Sequence, residues 1–278
     1  MTPTYPPDYL GRDISSHYSQ IDEPARTTRG PNQLEFLRTQ RTLLRHLPPP
    51  PAVIIDVGGA AGTYSFWLAS LGYTVHLIDA FPRHIEEAKA LNKTAAFKLA
   101  SAEIDDARSF DLPNPPADAV LVMGPLYHIH ERSGRLDALK RAIKAVRPGG
   151  LIVAAAISRF ASQLDGLFRG FLDDPIFQQI VGRDLKDGCH FNPTNNPAYF
   201  TTAFFHHPDE LRQEIADAGL SLIELLGMEG PCWLLQNFDE HWNDPARRQR
   251  LIEAADRLGA EPTMLGASAH LLAVARRN

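Results

Sequence analysis

Two aspartates, a cluster of small residues and a set of histidines are the groups in this chain equipped for chemistry. Asp56 lies in the apolar run Val53-Ile54-Ile55-Asp56-Val57, and Gly58-Gly59-Ala60-Ala61-Gly62 follows at once. Asp79 closes a second apolar run, Val75-His76-Leu77-Ile78-Asp79. Carboxylates accept hydrogen bonds from hydroxyl and amino groups, and small residues beside them let a ligand approach the backbone closely. Tyr127-His128 and, further on, His190, His206 and His207 supply groups that hold or move protons near neutral pH. A metal site at His190, His206 and His207 is conceivable because imidazole is a common ligand. They show no tight ligand spacing and no acid partner, so no metal is expected. Cys232 has no neighbour in sequence that would activate it as a nucleophile.

These groups need a scaffold, and the chain is long enough to supply one. Its 278 residues allow one large α/β domain with an insertion, or two small domains. An apolar fraction of 44% and a charged fraction of 22% are those of an ordinary globular protein. Net charge is −5 with both signs interspersed, which argues against a nucleic-acid or membrane-surface partner. The two cysteines, Cys189 and Cys232, fit a reducing compartment, and a disulfide between them has no support. No signal-peptide pattern and no apolar run long enough to span a bilayer is found, so the expected address is the cytoplasm.

Periodicity places the elements. Residues 1–50 read as a proline-rich arm, with a short helix near Ile14–Gln20, followed by a helix over Gln33–Leu47 that Pro48–Pro51 terminates. Strand patterns at Ala52–Val57, Thr74–Asp79, Ala95–Leu99, Ala119–Met123 and Leu151–Ile157 alternate with helix patterns at Thr63–Leu71, Arg83–Asn92 and Arg135–Val146. Alternation of this kind implies βαβ units and a doubly wound, mostly parallel sheet, so residues 51–158 are expected to form a Rossmann-like core. Residues 159–207 are aromatic and irregular, and read as an inserted helical lid whose phenylalanines wall an apolar cavity. Residues 208–278 return to the core with helices at Pro208–Ala218 and Pro245–Leu258 and strands at Leu220–Leu226 and Ala269–Ala275, the last expected to run antiparallel.

A strand, a glycine turn and a helix serve two ligand classes, dinucleotides and S-adenosylmethionine (SAM). Both use an acid at the end of the second strand, here Asp79, for ribose hydroxyls. The glycine spacing separates them. A dinucleotide turn wants G-x-G-x-x-G, but its positions counted from Gly58 are Gly58, Ala60 and Thr63, and counted from Gly59 they are Gly59, Ala61 and Tyr64. The spacing present is acid-x-Gly-x-(Gly/Ala)-x-Gly, from Asp56 through Gly58, Ala60 and Gly62. Together with Asp79, with Asp106-Ala107-Arg108 before Asp118-Ala119-Val120, and with Gly124-Pro125-Leu126-Tyr127-His128 before Arg147-Pro148-Gly149-Gly150, this resembles the class I SAM-dependent methyltransferases. The similarity is to their small-molecule branch, which contains ubiquinone- and menaquinone-type enzymes.

The resemblance implies roles. Asp56, Gly58, Gly59, Ala60 and Gly62 would surround the methionine part of SAM, and Asp79 would accept from the ribose hydroxyls, with Ala80 and Phe81 beside the adenine. Asp106 would accept from the adenine amino group and Ala107 would present a backbone N–H. Gly124 would sit at the sulfonium, with Tyr127 and His128 at the methyl-transfer end and His190 or His206 reaching the acceptor from the lid. Tyr18 and Arg38 would close over the cofactor, as the N-terminal arm does in similar enzymes. The expected activity is methyl transfer to O, N or C of a small organic acceptor, by a monomer or homodimer that binds neither nucleic acid nor membrane. A nicotinamide-dependent oxidoreductase and a catalytically silent SAM-binding protein are the rival readings.

Overall fold

Val53–Val57 (β1) has neighbours on both edges, and the architecture is built outward from it. Thr74–Asp79 (β2) pairs with one edge, Val53 opposite Thr74, and Ala117–Val122 (β4) pairs with the other, Ile54 opposite Ala119. Ser101–Ile104 (β3) continues beyond β2, and Val146–Ser158 (β5) continues beyond β4, all in parallel register. The order β3-β2-β1-β4-β5 runs in two directions from β1, so a crevice opens between the carboxyl ends of β1 and β4. In this computed structural model the described residues are Ile14 and 27–278, apart from 112, 113 and 195. The expected position of Tyr18, and of the helix near Ile14–Gln20 beyond Ile14 itself, lies outside them.

The far side of β5 carries the C-terminal strands. His270–Arg277 (β9) pairs antiparallel with it, Ile157 opposite His270, and Leu220–Gly227 (β8) pairs antiparallel with β9. The last strand is thus antiparallel, as its pattern implied, and β8 runs in the direction of β5. Strands β1, β4 and β5 are buried on both faces, which is why they read as unbroken apolar runs. Helices cover the faces: Thr63–Ser70 (α2) after β1, Pro82–Thr94 (α3) after β2, and Arg132–Ala145 (α5) before β5. Asn32–His46 (α1) precedes them, and Pro208–Asp217 (α8) and Pro245–Gly259 (α10) pack beside the C-terminal strands. Pro125–His128 (α4) and Phe238–Asn243 (α9) are short helices outside the insertion.

One strand forms later than its sequence pattern predicts. The apolar stretch Ala95–Leu99 is not in the ladder, which starts at Ser101. The Asn92 side chain holds both the N–H and the carbonyl of Leu99, and the Lys98 ammonium caps the α3 carbonyl of Lys93. The stretch closes the end of α3, leaving the next residues to pair with β2.

Residues 159–207 are not purely helical. Ala161–Arg169 (α6) and Pro175–Asp187 (α7) are followed by two short strands, Cys189–His190 (β6) and Ala203–His206 (β7). β7 pairs parallel with Ile157 and Ser158 at the end of β5, so the insertion is hydrogen-bonded into the sheet. Its aromatic residues pack chiefly on one another. Phe171, Phe177 and Tyr199 form a mutual cluster, and the His190 ring stacks on Phe205 at 4.6 Å. This is packing of the rings on one another, where their number implied an apolar cavity wall. A groove of about 360 Å³ lies elsewhere, lined by Phe66 of α2 and by Leu91 and Phe97 around the C-terminal end of α3.

Candidate active site

The turn after β1 is shaped by what lies above it. Gly58 has φ +73° and donates its N–H to the Ile78 carbonyl at 2.7 Å, which ties the turn to β2. A Cβ on Gly58 would stand 2.7 Å from Pro125 Cγ, and one on Gly124 would stand 2.9 Å from the Gly58 carbonyl oxygen. The tips of β1 and β4 therefore meet at backbone distance, in the crevice where open α/β sheets take their ligands. Ala60 holds φ +50° without being glycine, and Gly62, at φ +93°, opens α2.

Asp56 is fully buried beneath this turn. Its Oδ2 accepts from Ser65 Oγ at 2.7 Å, while Oδ1 has no hydrogen-bond partner among the described residues. Burial pushes its carboxyl up to about 6; the Ser65 bond opposes this and the charge of Asp79 reinforces it. Gly59 is forced by the same acid, because a Cβ there would lie 2.5 Å from Asp56 Oδ2. A buried carboxylate oxygen with an empty acceptor position, under a turn with no room for side chains, is a site waiting for a donor.

Asp79 lies at the end of β2, and its carboxylate is largely committed. Oδ2 accepts from the Ala60 N–H at 2.9 Å; Oδ1 accepts from the Phe81 N–H at 2.9 Å and faces His84 Nδ1 at 3.0 Å. Three groups therefore already contact this carboxylate at the end of β2. Asp106 is similar. Arg108 holds it through its backbone N–H and Nε on Oδ1 and through Nη2 on Oδ2, at 2.6–2.8 Å. This fork holds the Asp106 carboxyl below the usual range, against partial burial. Ala107 is buried beside it and Ala80 is exposed.

Gly124, Tyr127 and His128 gather at the end of β4. Tyr127 donates its hydroxyl to the Met123 carbonyl at 3.3 Å and meets the His128 ring edge-on at 4.7 Å. Its ring packs against Ile157, Ala161 and Phe205, joining the crevice to the insertion.

The lid histidines are placed differently from the expectation that they reach an acceptor. His190 is completely buried, with Nδ1 on Asp184 Oδ2 at 2.8 Å and Nε2 on the Tyr199 carbonyl at 2.7 Å. Both ring nitrogens are committed to folding the insertion. His206 is also completely buried, with Nε2 at 3.2 Å from Glu214 Oε2. Glu214 is gripped in turn by Arg135 through Nε and Nη2, at 3.0 and 2.7 Å. Burial pushes His206 below its ordinary value, and Glu214 opposes the shift. His207 caps α8 by accepting from the Asp209 N–H. Arg38 is corrected as well. Its guanidinium is buried, donates to the carbonyls of Gly227 and Met228 and pairs with Asp256 at 3.0 Å, so it fastens α1 to the C-terminal half instead of closing over a cofactor.

The residues from 54 to 150 match the family model described as a methyltransferase domain. This span holds Asp56, the glycine turn, Asp79, Asp106 and Gly124, in one stretch with one topology. The chain is a SAM-dependent methyltransferase. Among curated relatives, this methyltransferase is 27% identical over 240 residues to a ubiquinone biosynthesis O-methyltransferase of Methylobacterium nodulans, covering 79% of this chain and 86% of that one. It is 30% identical over 148 residues to the Methylocella silvestris enzyme of the same description, spanning 53% of this chain and half of that one. Its fold is similar to that of the N-methyltransferase NodS from Bradyrhizobium japonicum, solved with S-adenosyl-L-homocysteine, at a TM-score of 0.53, 16% identity and 97% coverage of both chains.

The residues of the crevice fit SAM on the structure's own terms. Asp56 offers its unpartnered acceptor, and the Gly58–Gly124 approach leaves backbone exposed where a Cβ would obstruct. Sequence reading missed Ser65 and His84, which orient Asp56 and Asp79. Both lie close behind their motif in the chain, so proximity in sequence was the available signal. Glu35, Glu229 and His270, which converge at the same edge of the sheet, left no such signal, being 194 and 41 residues apart.

Proposed function

We propose that this methyltransferase transfers the methyl group of SAM to a small organic acceptor, held between the carboxyl edge of the sheet and residues 159–207. The observation that carries the proposal is the buried, unpartnered Asp56 Oδ1 under a turn closed against Gly124 and Pro125. The Asp56 and Gly58–Gly62 backbone would hold the amino-acid end of SAM, Asp79 the ribose hydroxyls, and Asp106 with Ala107 the adenine. When bound, SAM supplies an activated methyl group on a sulfonium. Tyr127 and His128 are assigned to wall the crevice at that end, align the acceptor and exclude water. The curated relatives' description favours an oxygen acceptor within the O, N or C range. A cytoplasmic address is part of the proposal, supported by two free thiols, Cys189 and Cys232. No helix among the described residues is long and apolar enough to cross a membrane.

Thermal shift with SAM, S-adenosylhomocysteine and NADPH tests the cofactor and the reaction class together. Saturating S-adenosylhomocysteine should raise the midpoint by several degrees, since a ligand at a hundred times its Kd contributes about 2.7 kcal/mol. Stabilisation by NADPH alone would overturn the reading. Binding without turnover across a panel of phenols, amines and carboxylic acids would favour a silent SAM-binding protein.

A further inference from the structure

We propose that Glu35, Glu229 and His270 form a binding site for one divalent transition-metal ion of the manganese, iron(II) or zinc kind at the carboxyl edge of the sheet. One ligand atom from each residue lies within 4.8 Å of the other two. His270 Nδ1 is 2.5 Å from Glu229 Oε1 and 3.9 Å from Glu35 Oε2.

The topology brings them together. β8 runs parallel to β5, so Glu229, two residues past its end, lies at the carboxyl edge. β9 runs the other way, so its first residue, His270, lies at the same edge, opposite Ile157. Glu35 reaches the cluster from the first turn of α1. Its neighbour Phe36 meets Tyr64, in the first turn of α2, with ring centroids 5.1 Å apart. The cluster therefore shares α1 with a ring that packs on α2, the helix opened by the glycine turn.

The acids are built in rather than incidental. Glu35 is 8% and Glu229 1% exposed, so positive charge beside them, from the His270 imidazolium or from a bound ion, offsets the cost of taking the two carboxylates out of water. Glu229 is aimed. Its Oε2 accepts from Ser268 Oγ at 2.6 Å and from the His270 N–H at 3.0 Å, which turns Oε1 toward the imidazole. Ser268 Oγ is itself fixed by the backbone N–H groups of Glu229 and Gly230, at 2.9 and 3.2 Å. Such outer bonds are what hold ligating carboxylates in place.

Metal–ligand bonds of about 2.0–2.2 Å separate neighbouring ligand atoms by about 3.0–3.5 Å. The observed 2.5 and 3.9 Å fall on either side of that range, so adjustments of roughly half an ångström would admit an ion. The ion would take the place of the proton between Nδ1 and Oε1, which leaves to solvent. Two carboxylates and a neutral imidazole would balance its charge and leave coordination positions open. This donor set suits manganese, iron(II) and zinc better than calcium, which prefers oxygen alone.

The test is Mn2+ titration of the chelator-stripped full chain at neutral pH, with free ion followed by electron paramagnetic resonance. One ion per chain is expected, with binding weakened at least about tenfold in Glu35→Gln and His270→Gln. Glu87→Gln, an exposed acid on α3, should bind as the parent does. Glu229→Gln disturbs the Ser268 network, so Glu35→Gln is the deciding variant, its folding confirmed by an intact S-adenosylhomocysteine thermal shift. That shift also separates failure of the metal site from failure of the methyltransferase reading. No binding at millimolar Mn2+, or equal binding by Glu35→Gln and His270→Gln, would overturn the proposal and leave a protonated His270 as the cation between the two acids.

Discussion

Asp56 is unusual in carrying its charge into a buried site with one oxygen unsatisfied. Its folded carboxyl is raised to about 6, whereas an unfolded aspartate titrates near 3.8. The stabilising contribution of the protonated form is therefore complete below the unfolded value and is lost as pH rises through about 6. Above that, the ionised group costs about 3 kcal/mol. Asp56→Asn keeps the shape and removes that cost. Without ligand, the variant should melt several degrees higher at pH 7.5 and show a flatter stability profile between pH 4 and 7. Its stabilisation by S-adenosylhomocysteine should fall sharply, since the negative charge facing the ligand's donor is gone and the amide with its oxygen held by Ser65 presents an N–H2 in place of an acceptor. A variant less stable than the parent at pH 7.5 would show that Asp56 serves the fold rather than the ligand. His128 makes the opposite case at the methyl-transfer end. As a wall residue packed on Tyr127, His128→Gln should keep turnover within a few-fold and leave the pH–rate profile unchanged. A loss of about 10²-fold or more with a displaced acid limb would make it a general base.

At the scale of elements, the glycine turn separates two effects that usually travel together. Gly58 and Gly149 share the same φ, +73°, but a Cβ at Gly149 meets nothing within 4 Å, whereas one at Gly58 runs into Pro125. Gly149→Ala should cost only the left-handed backbone penalty, about 1–2 kcal/mol. Gly58→Ala adds the collision and should cost about 1–3 kcal/mol more. Urea midpoints for the pair would measure the difference; equal losses would mean that α4 yields freely and the crevice is not preformed. The βαβ order, the antiparallel last strand and this turn were legible because each is coded locally, by apolar period and by glycine spacing. Ala95–Leu99 misled because its apolar residues imitate a strand, while Asn92 and Lys98 use the same backbone to close a helix. The lid histidines misled for a related reason. A histidine's type announces proton chemistry, but only the fold shows that Asp184 and Tyr199 occupy both nitrogens of His190.

At the scale of the molecule, the two ends of the described chain close one edge of the sheet. α1 lies far from β8, β9 and α10 in sequence; Leu34 packs on α10, Arg45 and His46 pair with Glu224 of β8, and Arg38 is the buried polar anchor among these contacts. That side chain is invisible as an anchor in the sequence, because its partners are backbone carbonyls at Gly227 and Met228 and an acid at Asp256. The closure matters for function because α1 also carries Glu35 and the Phe36 ring that meets Tyr64. Arg38→Ala strands two carbonyls in a buried site, and should lower unfolding free energy by about 2–4 kcal/mol. Arg38→Lys restores the charge but not the fork, and should recover only part of the loss. Urea unfolding measures both variants, and calorimetric titration with S-adenosylhomocysteine measures what the anchor does for the crevice. If Arg38 acts through α1, stability and ligand affinity fall together across Ala and Lys. A variant of parental stability that no longer binds ligand would instead put the guanidinium on the cofactor.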